Sequence, residues 1–591
     1  MPDQYPSLPS PPVDTDHDAA LRSTVQAAHR GGGHQEKRRR TLVIASVAAL
    51  TALGVAALTF SARLSAPAGI SQQGPGTVAA APTSTSPTAE ASKRAFTPFD
   101  RPEYPQEAAL DGATGAVPAT LVKVHDEGSG ASLAEGLMGF SFEADSMADV
   151  RFEPGASTFV QELKKLHKPV VRFGGQAVDR RFFWTSKDEA IPSDWKLVPA
   201  FAGDKRPIVK VTPQDLERLN RMAVAADARI LLTADLGHFD PTRAGDLARN
   251  AANILGDRLL GITVGNEPNG YYVEGNQYLT LRANGWNDAQ YLEQFEAYSS
   301  EITRVAPSVK LVGPGAYNIN WLKSYAAGHS ESVGALSYHN YPMFGCGGPA
   351  DPDSPTIAHT MSRERADKNR NFVGNVAAVA KSAGLPLWLT EGGLSSCSGS
   401  NETSRKHVSA LWTAGFALMA AEAGVTQFDV HSAIEACKGG PPGSPVCDTG
   451  AYRKPNGVIV GQANLSGMLL VSGLEPGKFL KLDQSGSENV YSYAIAHADG
   501  SLSVIIINQN DPVKFGQAPI QIQLPRPAAT GTMSQMFAPA FDSEALTRID
   551  GRDDAGTPLE ERPRIPGFLA GQESISVPLT SGTATVLRFS F

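Results

Sequence analysis

Two glutamates each end a short apolar run and are followed at once by a turn residue. Glu267 lies in Gly261-Ile262-Thr263-Val264-Gly265-Asn266-Glu267-Pro268-Asn269, and Glu391 in Leu385-Pro386-Leu387-Trp388-Leu389-Thr390-Glu391-Gly392-Gly393. An apolar run halted by Gly or Pro reads as the C-terminal end of a buried strand. In an α/β barrel those ends form the rim where catalytic side chains collect. Two carboxyl groups facing one cavity there can divide the cleavage of a glycosidic bond between them. One protonates the leaving oxygen and later deprotonates water, and the other attacks the anomeric carbon. We assign Glu267 to the first role and Glu391 to the second. The acid must keep its proton until substrate arrives, and a carboxylate nearby helps to hold it there.

Such a pair needs strands to carry it. Strand patterns recur at residues 137–143, 169–175, 229–235, 260–267, 309–314, 335–341, 386–391 and 425–431. Amphipathic helical patterns fill the gaps at about 155–167, 213–228, 242–256, 288–306, 318–327, 361–383 and 403–423. Eight strands interleaved with helices predict an α/β fold, a (β/α)8 TIM barrel over residues 136–455. An open doubly wound sheet would carry a Gly-rich phosphate loop after its first strand, and none is present. From 456 to 591 the pattern changes to short strands separated by turn residues (491–496, 502–507, 520–524, 584–589), as in an antiparallel β-sandwich. Residues 118–135 also read as strands and are expected to join that sandwich.

The 591 residues are 41% hydrophobic and 19% charged, with net charge −8. This is globular composition without the broad basic field that nucleic acid requires. Residues 1–40 read as a disordered tail that closes on Lys37-Arg38-Arg39-Arg40. Residues 41–62 are apolar and long enough to cross a bilayer as one helix, so they predict a transmembrane anchor. The basic cluster before the span places the tail in the cytoplasm and the remainder outside the cell. The alternative is a secreted chain, with signal cleavage near Ser61-Ala62-Arg63-Leu64-Ser65-Ala66. Residues 63–110 form a Pro/Ser/Thr/Ala-rich linker. The four cysteines, Cys346, Cys397, Cys437 and Cys447, lie in the part expected outside the cell and match no zinc spacing. Three pairings are open. We favour Cys437–Cys447 as a local loop and Cys346–Cys397 as a tie between two loops of the active face.

Several segments together resemble glycoside hydrolase family 79, the β-glucuronidase and heparanase-like enzymes of the large retaining (β/α)8 clan. They are Gly139-Phe140-Ser141-Phe142-Glu143, Arg172-Phe173-Gly174-Gly175-Gln176 with Asp179, Gly265-Asn266-Glu267-Pro268-Asn269, Tyr338-His339-Asn340-Tyr341-Pro342, and Glu391-Gly392-Gly393 followed by Ser395-Ser396-Cys397-Ser398-Gly399. Ala410-Leu411-Trp412 and the strand ending at His431 also fit, and the likeness runs from about residue 120 to the C-terminus. Gln176 and Gly392-Gly393 depart from the family pattern, which bears on substrate choice. The resemblance implies that Asn266 hydrogen-bonds the sugar 2-OH and that Tyr341 hydrogen-bonds the nucleophile. His339 is read either as lining the same subsite or as a satisfied core histidine. Arg172 could orient Glu391 or Asn266 through charge-assisted hydrogen bonds, and Glu143 could bind a sugar hydroxyl or pair with Arg172. A uronic acid needs donors for its carboxylate, and Tyr452 and Lys438 are the candidates after the eighth strand.

The expectation is therefore an exo-acting retaining β-glucuronidase that removes terminal glucuronic acid, or a methylated form, from a glycan. The alternatives are a β-xylosidase or β-glucosidase on the same scaffold, an endo-acting polysaccharide hydrolase, and a non-catalytic carbohydrate-binding surface protein. The chemistry implies no metal and no organic cofactor. The expected partners are a glucuronide-containing glycan and, through the anchor, the membrane, with no nucleic acid.

Overall fold

Eight strands are each fully or largely buried, because a parallel strand in a barrel has side chains on one face and helices on the other. They are Met138–Glu143, Val170–Gly174, Arg229–Ala234, Leu259–Val264, Leu311–Ala316, Val333–Asn340, Leu387–Gly392 and Val425–His431. In this computed structural model they close into one barrel, the last strand pairing with the first. Every pairing is parallel, for example Phe140 with Val171 and Phe428 with Met138. The structure describes residues 113 and 115–591, except 201–203, 277, 279, 329–330, 347, 398–399, 439, 442, 453, 545–546 and 551–562. The expected tail, anchor and linker at 1–40, 41–62 and 63–110 lie outside the described residues. Among the described residues no helix is long and apolar enough to cross a membrane.

The helices follow local chemistry. Pro213–Ala226 opens with a capping box between Thr212 and Asp215 and with proline at its first position. Pro241–Leu255 buries Ala244, Leu247, Ala248, Ala251 and Leu255, the three- and four-residue spacing of one helical face. The helix expected at 155–167 is reduced to Phe159–Leu163. Pro154 and Gly155 form a turn there. Phe159 meets Phe142 and Phe152 at ring-centroid distances of 5.5 and 5.3 Å, so this segment packs through aromatic contacts more than through helix length. A helix at Ala463–Ser472 stands where the sequence indicated only strands. Its first nine residues are all buried, so it has no polar face to give a helical period.

The second layer is a nine-stranded sheet. Its spatial order is Arg548–Ile549, Thr530–Phe537, Thr583–Ser590, Leu502–Asn508, Val490–His497, Gly477–Ser485, Thr120–Leu133, Gln517–Ala528 and Gln572–Thr580. Thr120–Leu133 sits inside this sheet, antiparallel to Gly477–Ser485 but parallel to Gln517–Ala528. One pairing is thus parallel where the sequence led us to expect an antiparallel sheet throughout. The strand Leu502–Asn508 is buried on both faces. Val504 and Ile506 join the core of the sandwich, while Ile505 and Ile507 join the core shared with the barrel.

The element between the two cores is the helix His407–Glu422, buried at every residue from His407 to Ala421. His407 is fully buried at its start. Its ring Nε2 donates to Gly582 O at 2.6 Å, its Nδ1 accepts from Thr547 Oγ1 at 3.1 Å, and its backbone N–H donates to Ser543 O at 3.0 Å. Desolvation presses the ring pKa down to about 4, although the Gly582 carbonyl pulls it upward. The sign of the linkage follows directly. Above pH 6.5 the ring is neutral in both folded and unfolded chains, and its contribution is intact. Between about 6.5 and 4 only the unfolded chain takes the proton, so stability is lost as pH falls. Chemical denaturation at pH 7 and pH 4 should show a loss of up to about 3 kcal/mol from this group. His407→Gln should start less stable at pH 7 and lose correspondingly less on acidification; an unchanged pH dependence would remove His407 as its source.

Candidate active site

Arg172, on the second barrel strand, points into the barrel and is completely buried. Its Nη1 donates to Glu391 Oε2 and to Ser141 Oγ, and its Nη2 donates to Asn266 Oδ1, each at 2.7 Å. One guanidinium therefore ties the ends of the first, fourth and seventh strands to the second. It does not pair with Glu143. That carboxylate accepts the Ala177 backbone N–H at 2.6 Å and lines the cavity, and its pKa is raised because burial outweighs the attraction of Arg181 and His431. The carboxylate lies against Gly175, whose φ of 64° suits glycine and where a side chain would collide with it.

Glu267 has φ 51° and ψ 54°, a left-handed conformation uncommon for a residue with a side chain. Such backbone persists only where its surroundings over-determine it. Here the Glu267 N–H donates to Gly315 O at 3.0 Å, and its carbonyl accepts from Gly270 N–H at 2.8 Å. The preceding N–H, of Asn266, donates to Asp179 Oδ2 at 2.9 Å. Asp179 Oδ1 also accepts the N–H groups of Leu236 and Gly237 at 2.9 and 3.0 Å, clamping the third strand end to the fourth. Burial, with Asp235 beside it, pushes the Asp179 carboxyl upward.

Glu391 is held through both oxygens, Oε2 by Arg172 and Oε1 by the Tyr341 hydroxyl at 2.9 Å, with His431 Nδ1 3.6 Å from Oε1. Burial alone would raise its pKa, but His339, His431 and Arg172 together outweigh that and hold it below the usual carboxylate range. His339 is fully buried, with Nδ1 3.0 Å from Glu267 Oε1. It is absent from the cavity lining and stands behind Glu267. One donor atom each from Glu267, His339 and Glu391 lies within 4.8 Å of the others. A trio of this kind can hold a metal, but here Arg172 and Tyr341 already occupy both oxygens of Glu391.

The two glutamates open into a cavity of about 810 Å³. Glu143, Glu267, Tyr341, Glu391 and His431 form its floor near the strand ends, while Arg172 and Asn266 stand behind them. Lys438 and Tyr452 are exposed and outside the lining, so no carboxylate-binding geometry is seen for them. Disulfides Cys346–Cys397 and Cys437–Cys447 are both formed. The first ties the loops after the sixth and seventh strands, and the second closes a loop after the eighth. Sequence reading noted Arg181 only as half of a basic rim-loop pair with Arg180 and passed over Arg405, Asp145 and Glu435, and all four line the cavity. None lies in a strand-end motif, so local pattern carried no signal for them.

No family model matches the chain, and no curated protein matches it in sequence. Solved structures resemble it along most of its length. A 4-O-α-L-rhamnosyl-β-D-glucuronidase from Fusarium oxysporum 12S aligns with 15% identity and a TM-score of 0.55, over 80% of this chain and 99% of that one. A GH51 arabinofuranosidase from Xanthomonas axonopodis pv. citri gives 13% identity and 0.56, over 80% and 100%. A family 44 endoglucanase from Clostridium acetobutylium ATCC 824 gives 12% and 0.51, over 80% and 99%. At these identities the likeness is one of fold.

Removing one member of a buried ion pair strands the other in low dielectric. Arg172→Met should therefore cost about 3–5 kcal/mol of stability, read by denaturant unfolding. Arg172→Met combined with Glu391→Gln should be less destabilised than the sum of the single variants, because no orphaned charge remains. Strict additivity would mean that the two side chains are not coupled.

Proposed function

We propose that this protein is a retaining glycoside hydrolase acting on β-glucuronides, with Glu391 as nucleophile and Glu267 as acid/base. The observation that carries the mechanism is the approach of Glu267 and Glu391 within 4.8 Å across one cavity. Retaining enzymes hold their carboxyl groups about 5–5.5 Å apart, whereas inverting ones leave about 6.5–9.5 Å for a water. Glu391, kept ionised by Arg172, attacks the anomeric carbon while Glu267 gives its proton to the departing oxygen. The glycosidic C–O bond breaks and a glycosyl ester forms on Glu391. Glu267 then takes a proton from water, the resulting oxygen attacks the same carbon, and Glu391 is released. Arg172 occupies Asn266 Oδ1 and so fixes that side chain beside the catalytic pair; the family 79 resemblance assigns its amide N–H groups to the sugar 2-OH.

The family 79 resemblance and the fold shared with a rhamnosyl-glucuronidase support the uronide reading. Exo action is part of the same reading and follows from the family 79 resemblance to β-glucuronidases. A second reading, a neutral-sugar glycosidase, is favoured by the six carboxyl groups and three arginines of the lining. The N-terminal segment 41–62 is proposed as a membrane anchor that holds the catalytic domain outside the cell.

The full-length chain should be assayed against aryl β-glucuronide, β-xyloside, β-glucoside and β-galactoside, beside Glu391→Gln. Hydrolysis of the glucuronide, with the β-anomer as first-formed product by NMR and no turnover by the variant, is the expected result. An α-anomer formed first would sink the retaining mechanism, and turnover of neutral sugars alone would sink the uronide reading. Cell fractionation tests the anchor: the intact chain should remain with membranes after a high-salt wash, and a soluble chain shortened near residue 66 would favour cleavage.

A further inference from the structure

We propose that Arg405 holds the acidic group of the substrate and so makes this cavity selective for a uronate-bearing glycan, an inference that rests on the uronide reading above. The cavity is lined by Glu143, Asp145, Asp149, Glu267, Glu391 and Glu435 against only Arg181, Arg206 and Arg405. An anion entering so acidic a space is repelled unless it reaches a cation whose charge is still free. Two of the three arginines are already neutralised. Arg181 Nε donates to Asp145 Oδ2 at 2.5 Å, and Arg206 makes two hydrogen bonds of 2.8 Å to the carboxylate of Asp204.

Arg405 differs from both. Among the described residues no carboxylate lies within ion-pair distance of it. Its Nη2 donates to the Gly440 carbonyl at 2.9 Å, while its Nε is buried and has no partner. Desolvation lowers its pKa, with only the more distant Glu544 opposing. A partly desolvated cation without a close ion-pair partner is costly. A guanidinium has five N–H donors in a planar fork that matches a carboxylate. The Gly440 bond takes one terminal N–H, which leaves terminal donors for a ligand in the cavity.

The backbone points the same way. Arg405 has φ 59°, in the left-handed region that a side-chain-bearing residue seldom occupies. It stands just before the helix His407–Glu422, on the segment that follows Glu391. Gly440 belongs to the Cys437–Cys447 loop. The residue thus bridges the two loops that wall the cavity after the seventh and eighth strands. A plain loop clip would account for the Gly440 bond but does not by itself call for an arginine in the cavity lining that forms no ion pair with a described carboxylate.

The test uses the full-length protein with a matched pair of substrates: an oligosaccharide containing glucuronate, and the same oligosaccharide after its carboxyl groups are reduced to primary alcohols. Wild type should prefer the acidic member. Arg405→Gln should lower kcat/KM on the acidic member by about ten- to a hundredfold, mainly through KM. The loss on the reduced member, which feels only the broken Gly440 bond, should be about tenfold smaller than the loss on the acidic one. Arg405→Lys, which keeps the charge and can still reach Gly440, should retain part of the preference. Equal losses on both substrates would make Arg405 a loop clip and overturn the proposal. A wild-type preference that survives Arg405→Gln would overturn the Arg405 assignment alone, whereas a wild type that prefers the reduced substrate would overturn the uronide reading and this inference with it.

Discussion

A guanidinium taken wholly out of water needs a counter-charge and acceptors around it, and Arg172, whose two terminal nitrogens find them while its buried Nε does not, sets that condition at the centre of the barrel. Its partners come from three other strands: Ser141, Asn266 and Glu391. Those strands must therefore stop at matching heights around the barrel, or the charge is left uncompensated. The same bonds aim Asn266 and fix one oxygen of Glu391. Burying Arg172 and assembling the catalytic pair are one event, so the site's geometry is an outcome of folding and not a late adjustment of loops.

The rim depends on support from below and behind. Asp179 collects three backbone N–H groups from two strand ends and so restrains the turn that carries Glu267 in its left-handed conformation. His339 packs against Glu267 from within the barrel. On the other side, the segment leaving Glu391 runs into a helix that both cores bury. His407 and its neighbours dock that helix on the sandwich through Ser543, Thr547 and Gly582. The sandwich therefore holds one wall of the cavity, although it contributes no group to the catalytic pair.

Charge shapes what such a cavity can accept. Carboxyl groups favour an oxocarbenium-like centre passing between them, and two of the three lining arginines are held by carboxylates of the protein, Arg181 by Asp145 of the lining and Arg206 by Asp204 behind it. A substrate that brings its own negative charge needs a cation outside those pairs. Arg405, tied to a neighbouring loop by a single hydrogen bond, is the lining arginine without such a partner among the described residues.

The sequence by itself determined the barrel, its strand ends and the two glutamates on them. Buried strands are short apolar runs closed by Gly or Pro, and this punctuation survives in one dimension, as in Gly265-Asn266-Glu267-Pro268 and Thr390-Glu391-Gly392. It was silent on the helix Ala463–Ser472, because a segment buried all round has no polar phase to reveal its period. It also offered Lys438 and Tyr452 as carboxylate binders, and both are exposed and outside the cavity lining. Only the tertiary structure decided that His339 stands behind Glu267, that Arg172 reaches both Asn266 and Glu391, and that Arg181 and Arg405 join the lining. The physical reason is that periodicity records which face of an element is apolar. Which loop residues turn inward, and which charges find partners, follows from barrel closure and from docking against the sandwich, which bring together residues far apart in the chain.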